Sequence, residues 1–252
     1  KRIELAGSSC IQKVNKNNTW KNRIQMPNKD FECVHCGKAF QKEKTLIAHM
    51  CEAKRRHLQK DEKRVQVGFM TFNRFYQQVQ RSKEKTYEDF CKSPYYNAFV
   101  KFGSFVTNVS CIYPEKFIDF VIKSGVKLDH WSRDALYDTY LFEMIKVEPV
   151  EGAVRRSIQT MMDWGDKHES PYNHYFKYVN HNRAVNDIRY GRISPWLLLN
   201  TAAGIELVGS FNDEHLTIVE PILDITYWKK HFTNNSEDVK LVKEITKEAQ
   251  IA

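Results

Sequence analysis

The chain has 252 residues, of which 42% are apolar, 13% aromatic and 28% charged. That composition excludes global disorder, and the length suits one or two domains. No run reaches the ~20 apolar residues that a membrane-spanning helix needs, and Lys1-Arg2-Ile3-Glu4 opens no secretory signal pattern, so a soluble, intracellular protein with no membrane partner is expected. The net charge of +8 is unevenly placed: residues 1–64 hold 16 Lys/Arg against 7 Asp/Glu, a net of +9, which leaves −1 for residues 65–252.

In chain order, residues 1–30 are rich in Lys and Asn and read as a basic, extended N-terminal arm. Residues 31–57 carry three of the six cysteines, Cys33, Cys36 and Cys51; Cys10, Cys91 and Cys111 stand apart. That distribution is too uneven for a disulfide framework and favours a metal site. Residues 58–66 have almost no apolar face and read as a charged helical extension or linker.

Residues 67–252 read as an irregular all-helical domain. Phe69, Phe72, Tyr76 and Val79 recur at the spacing of one helix face. Thr86-Tyr87-Glu88-Asp89 resembles a capping box. Pro94 and Pro114 suit first helical turns, and Gly125 suits a stop. Ser132 is expected to cap the helix carrying Leu136, Tyr140 and Met144, with Pro149 ending it before Val150–His168. Further helices are expected at Asn182–Tyr190, at Pro195–Ala203 ending before Gly204, from Asn212 and from Ser236. No strict alternation long enough for a multistranded sheet is present, so the fold class is mainly α: a small ββα module followed by helices.

Within 31–57, Cys33 and Cys36 are two residues apart and can place both thiolates on one metal from a tight turn. His49 follows twelve residues later on a helix and adds an imidazole. Phe31, Phe40 and Leu46 supply the apolar residues of a module too small to bury a core without metal. These six positions resemble the two-cysteine, two-histidine zinc finger, which implies a ββα fold and Zn2+ as cofactor. The departure is the fourth ligand, since seven residues separate His49 from His57 and one separates it from Cys51. In an unbroken helix Cys51 lies ~200° around from His49, and His57 lies about 12 Å further along the axis, so either requires a break. Thiolate softness and proximity favour Cys51, with His57 as the alternative.

If the finger contacts DNA as its family does, Lys42, Thr45 and Ala48 point outward with Lys44 beside them. Lys54, Arg55 and Arg56 suit phosphates. A positive patch beside a finger makes nucleic acid the expected partner, DNA favoured. The competing reading is a zinc-stapled protein-interaction component, virion- or polymerase-associated. Asp163, Asp166, His168, Glu169, His174 and His181 match no motif with a defined mechanism, so no enzyme and no catalytic residue is expected. Tyr95, Tyr96, Phe99, Phe102 and Phe105 read as core rather than base-stacking residues, and Cys91 and Cys111 as small apolar ones.

Beyond the finger, the chain resembles uncharacterised zinc-finger proteins of large tailed bacteriophages. The resemblance rests on Phe40–Arg56, Tyr87–Gly103 and Gly191-Arg192-Ile193-Ser194-Pro195-Trp196. It implies a viral protein in the cytoplasm of a bacterial host or in the virion, and a His-x-Cys pair at His49 and Cys51.

Overall fold

The computed structural model describes residues 31–251, so the expected basic arm over 1–30 lies outside the described residues. The chain divides into two compact units between Cys51 and Glu52. In the first, strand β1 (Phe31–Glu32) pairs antiparallel with β2 (Ala39–Phe40), in the register Phe31 to Phe40 and Glu32 to Ala39. Gly37, at φ +70°, closes the intervening turn by donating its N–H to the Cys33 carbonyl at 2.8 Å, a left-handed position suited to glycine. Helix α1 (Glu43–Ala48) follows and buries none of its residues.

The second unit is helical. It opens with α2 (Glu52–Leu58), α3 (Lys63–Gln80), α4 (Tyr87–Lys92) and α5 (Tyr96–Asn108). The sequence carries the finger to His57 and treats 58–66 as an extension or linker, whereas here α2 belongs to the helical unit and Val65 is completely buried. A single Arg explains why an apparently polar stretch packs. Arg56 donates to the Cys91 carbonyl at 2.5 Å, its guanidinium lies 4.3 Å from the Tyr96 ring centroid, and Tyr87 donates to the Arg56 carbonyl at 2.6 Å.

Helices α3 and α5 meet backbone to backbone. A Cβ on Gly103 would stand 2.1 Å from the Arg64 carbonyl oxygen, and one on Gly68 would stand 2.9 Å from the Phe99 carbonyl oxygen. The aromatics beside this crossing form the core: Phe72, Phe90, Phe99, Phe102 and Trp131 are all at most 3% exposed. They make repeated tilted or edge-to-face contacts, the arrangement that aromatic quadrupoles favour.

Next come α6 (Pro114–Lys123), α7 (Asp134–Val147), α8 (Val150–His168), α9 (Tyr175–Tyr178) and α10 (His181–Arg189). The remainder is α11 (Pro195–Leu198), α12 (Ala202–Gly209), α13 (Asp213–Val219), α14 (Ile225–Asn234) and α15 (Ser236–Glu248). The Thr86–Asp89 capping box is fully formed, and Pro114 occupies the first turn of α6. Ser132 caps nothing; Arg133 precedes α7 with no side-chain cap, and Pro149 stands at the entry to α8. The expected Pro195–Ala203 helix is two helices capped by Ser194 and Thr201, with Gly204 inside the second. Gly204 is there for closeness, because a Cβ would lie 2.2 Å from the Leu198 carbonyl oxygen.

The stretch Gly191–Trp196 is tied to α8. Arg156 donates to the Gly191 carbonyl at 2.9 Å and clamps the buried Glu148 carboxylate bidentately at 2.6 and 2.8 Å. Ser194 donates its N–H to Ser157 Oγ at 2.8 Å. Asp187, with no side-chain exposure, faces Arg192 at 2.8 Å and Arg183 at 2.7 Å and accepts from the Tyr175 hydroxyl at 2.8 Å. Burial of that carboxylate is tolerable because it is surrounded by donors. Among the described residues no helix is long and apolar enough to cross a membrane.

Candidate metal centre

The turn between β1 and β2 presents Cys33 and Cys36, and the end of α1 presents His49 and Cys51. Cys33 donates its N–H to the Lys38 carbonyl at 3.0 Å, and the Cys36 N–H donates back to the Cys33 carbonyl at 3.3 Å, so the two thiols are held on a closed loop. Helix α1 stops at Ala48. His49 is extended, at φ −69° and ψ 121°, and this break turns Cys51 back toward the other three side chains. No Pro or Gly stands between Ala48 and Cys51 to enforce it.

The four ligand atoms lie within 4.8 Å of one another. Cys33 Sγ is 4.0 Å from Cys51 Sγ, and Cys36 Sγ is 3.3 Å from His49 Nε2. A tetrahedral zinc ion with its usual bond lengths requires S–S edges of about 3.8 Å and S–N edges of about 3.6 Å. The cluster is therefore of the right size, and three soft thiolates with one imidazole form a donor set that zinc takes in structural sites. His57 is not part of the cluster; it is exposed on α2.

The electrostatics of the turn act differently on its two thiols. The His35 backbone N–H, directed at the Cys33 sulfur, holds that thiol below its ordinary range. At Cys36 the Lys38 N–H also lowers the thiol, but desolvation and the neighbouring Cys51 and Cys33 thiols outweigh it and leave the group raised. Such crowding is relieved when a cation takes the protons' place. The Phe40 ring lies 4.7 Å from the His49 ring, tilted by 47°, and packs against the imidazole.

Among the described residues this is the single grouping of three or more His, Cys, Asp or Glu side chains able to hold a metal ion. The polar residues of the second unit disperse instead. Asp163 accepts from Gln159 on the exposed side of α8, His168 packs on Trp164, and His181 meets Ser210 at 3.2 Å. Burial pushes the Cys111 thiol up to about 12 and raises Cys91, which suits neither for nucleophilic work.

The six cationic or polar residues expected to contact nucleic acid separate into two groups. Lys42, Lys44 and Thr45 are exposed at the start of α1, and Arg55 is exposed on α2, with Lys54 half-buried beside it. Arg56 differs from them: its side chain is 14% exposed and bonded to Glu52 and the Cys91 carbonyl, with its guanidinium against the Tyr96 ring. Sequence gave no warning of this, because a Lys-Arg-Arg run looks uniform until one member finds a carbonyl and a ring in the tertiary structure. Comparison with known protein families, curated proteins and solved structures finds no match for the chain.

Proposed function

We propose that Cys33, Cys36, His49 and Cys51 hold a structural zinc ion, and that the chain is a nucleic-acid-binding accessory protein gripping the phosphate backbone through its basic N-terminal quarter. The observation that carries the metal assignment is the convergence of four ligand atoms within 4.8 Å from two chain segments that local sequence alone does not force together. Binding of nucleic acid rests on charge: residues 1–64 carry a net +9, whereas residues 65–252 carry −1. Lys42, Lys44, Thr45, Lys54 and Arg55 are the contacts within the described residues, with DNA as the favoured partner. The resemblance to phage proteins supports the cytoplasm of a bacterial host, or the virion, as the place of this work.

Labelled duplex and single-stranded DNA titrated at several salt concentrations test the reading. Affinity should fall steeply with salt and should weaken when Lys42, Lys44 and Arg55 are reversed in charge; binding indifferent to salt defeats it.

A second reading, a zinc-stapled protein-interaction module, is favoured by the exposure of Val34 at 92%, Ile47 at 68% and Met50 at 58%. It predicts a protein partner that co-purifies after nuclease treatment and is lost in an Ile47→Ser, Met50→Ser variant.

A further inference from the structure

Charge in the second unit is segregated in a way that its overall balance conceals. Between Arg192 and Lys229 the chain carries Glu206, Asp213, Glu214, Glu220 and Asp224 and no Lys or Arg, within a protein of net charge +8. Three of these acids line a groove of about 810 Å³ whose walls come from α7, α13 and the approach to α14. Its apolar surface includes Phe142, Leu216 and Ile225, left 40%, 40% and 54% exposed.

The wall supplied by α13 has a definite pattern. Asp213, Leu216 and Glu220 all line the groove, at positions i, i+3 and i+7 of one helical face. A carboxylate therefore stands at each end of that wall, about 10 Å apart along the axis, with leucine between them. Asp224 adds a third carboxylate to the lining and also caps α14 by accepting the Tyr227 N–H at 2.9 Å. The Lys146 ammonium, 3.2 Å from the Phe142 ring centroid, covers one face of that ring.

We infer that this groove docks a basic amphipathic helix of a partner protein, whose apolar stripe covers Leu216, Ile225 and Phe142 while Lys or Arg residues about two turns apart meet Asp213 and Glu220. An apolar floor alone selects no partner, but carboxylates flanking it at helical spacing select basic segments and repel acidic ones. The same carboxylates repel nucleic acid, so this face and the basic N-terminal quarter serve partners of opposite charge. The inference stands on the second unit and is independent of the metal assignment.

The test uses the full chain and two labelled helical peptides that share one leucine stripe and differ in bearing Lys or Glu on the flanks, read by fluorescence anisotropy. The Lys peptide should bind, more weakly as salt rises, and the Glu peptide at least tenfold more weakly. An Asp213→Lys, Glu220→Lys variant should lose at least tenfold in affinity for the Lys peptide and gain for the Glu peptide. Charge reversal at Asp166 and Glu244, exposed elsewhere, should change neither. Leu216→Ser should weaken the Lys peptide without exchanging the preference, a second readout should the charge variant misfold. Equal binding of the two peptides, or equal losses from both charge-reversed variants, overturns the proposal. So does sedimentation showing that the groove is covered by a second copy, with dimers that the Glu220→Lys substitution disperses.

Discussion

Cys51 becomes a candidate ligand because the residue two positions before it leaves the helix. With His49 extended, the ~200° that would separate the two side chains on a continuous helix no longer applies. Cys51→Ser should therefore reduce bound zinc from about one equivalent to a small fraction, measured by elemental analysis after gel filtration, while His57→Ala keeps it. Retention of zinc by the serine variant and its loss from the alanine variant would reverse the assignment. Arg56 offers a second contrast within one basic run. Arg56→Ala should destabilise the second unit by about 1.5–3 kcal/mol, since it removes the charge-assisted bond to the Cys91 carbonyl and leaves that carbonyl unsatisfied. Arg55→Ala, on an exposed position, should stay within about 0.5 kcal/mol; denaturant melts of both distinguish the roles.

At the scale of elements, α3 and α5 cross where two glycines replace side chains with backbone proximity. Gly103→Ala should cost about 3 kcal/mol or more, because the atom its Cβ would strike is the main-chain oxygen of Arg64, which cannot rotate away. A melting temperature unchanged within error would mean that the helices can separate freely. A second clamp joins α3 to α6. Arg74 donates to both Asp119 oxygens at 2.6 and 2.8 Å, and Gln78 donates to one at 2.6 Å. Desolvation raises the Asp119 carboxyl, but the Arg74 and Gln78 bonds outweigh it and leave the group below its ordinary range. A depressed carboxylate stabilises the fold above its unfolded value and loses that contribution as pH falls through its folded value. The stability difference between wild type and Asp119→Asn should thus be full at pH 7 and shrink below about pH 4. It should be small, under about 1 kcal/mol, because both side chains are partly solvated.

For the whole molecule, two compact units with different sources of stability imply two responses to chelation. In the first unit Cys33 is the one side chain that is buried among the described residues, and Phe31, Phe40 and Leu46 are only half-covered. A strong chelator should unfold residues 31–51 while leaving the helical signal and melting transition of the second unit largely intact, checked by circular dichroism and proton exchange. Loss of both together would show that the metal organises the entire chain.

The sequence by itself determined the mainly helical class, the ββα beginning, the Cys33, Cys36 and His49 ligand spacing, and caps such as Thr86–Asp89 and Asn212, because periodicity, short-range spacing and capping are local properties. It did not place the end of the first unit at Cys51, turn Arg56 inward or split Pro195–Ala203. Two of these depend on a partner distant along the chain, the Cys91 carbonyl for Arg56 and the Cys33 thiol for Cys51; the split rests on a nearer contact, the close packing of Gly204 on the Leu198 carbonyl. The acidic residues between Arg192 and Lys229 were legible as composition, yet only folding put Asp213, Glu220 and Asp224 around one apolar groove. Local free energy sets which segments are helical, and long-range packing decides which of their polar groups face water.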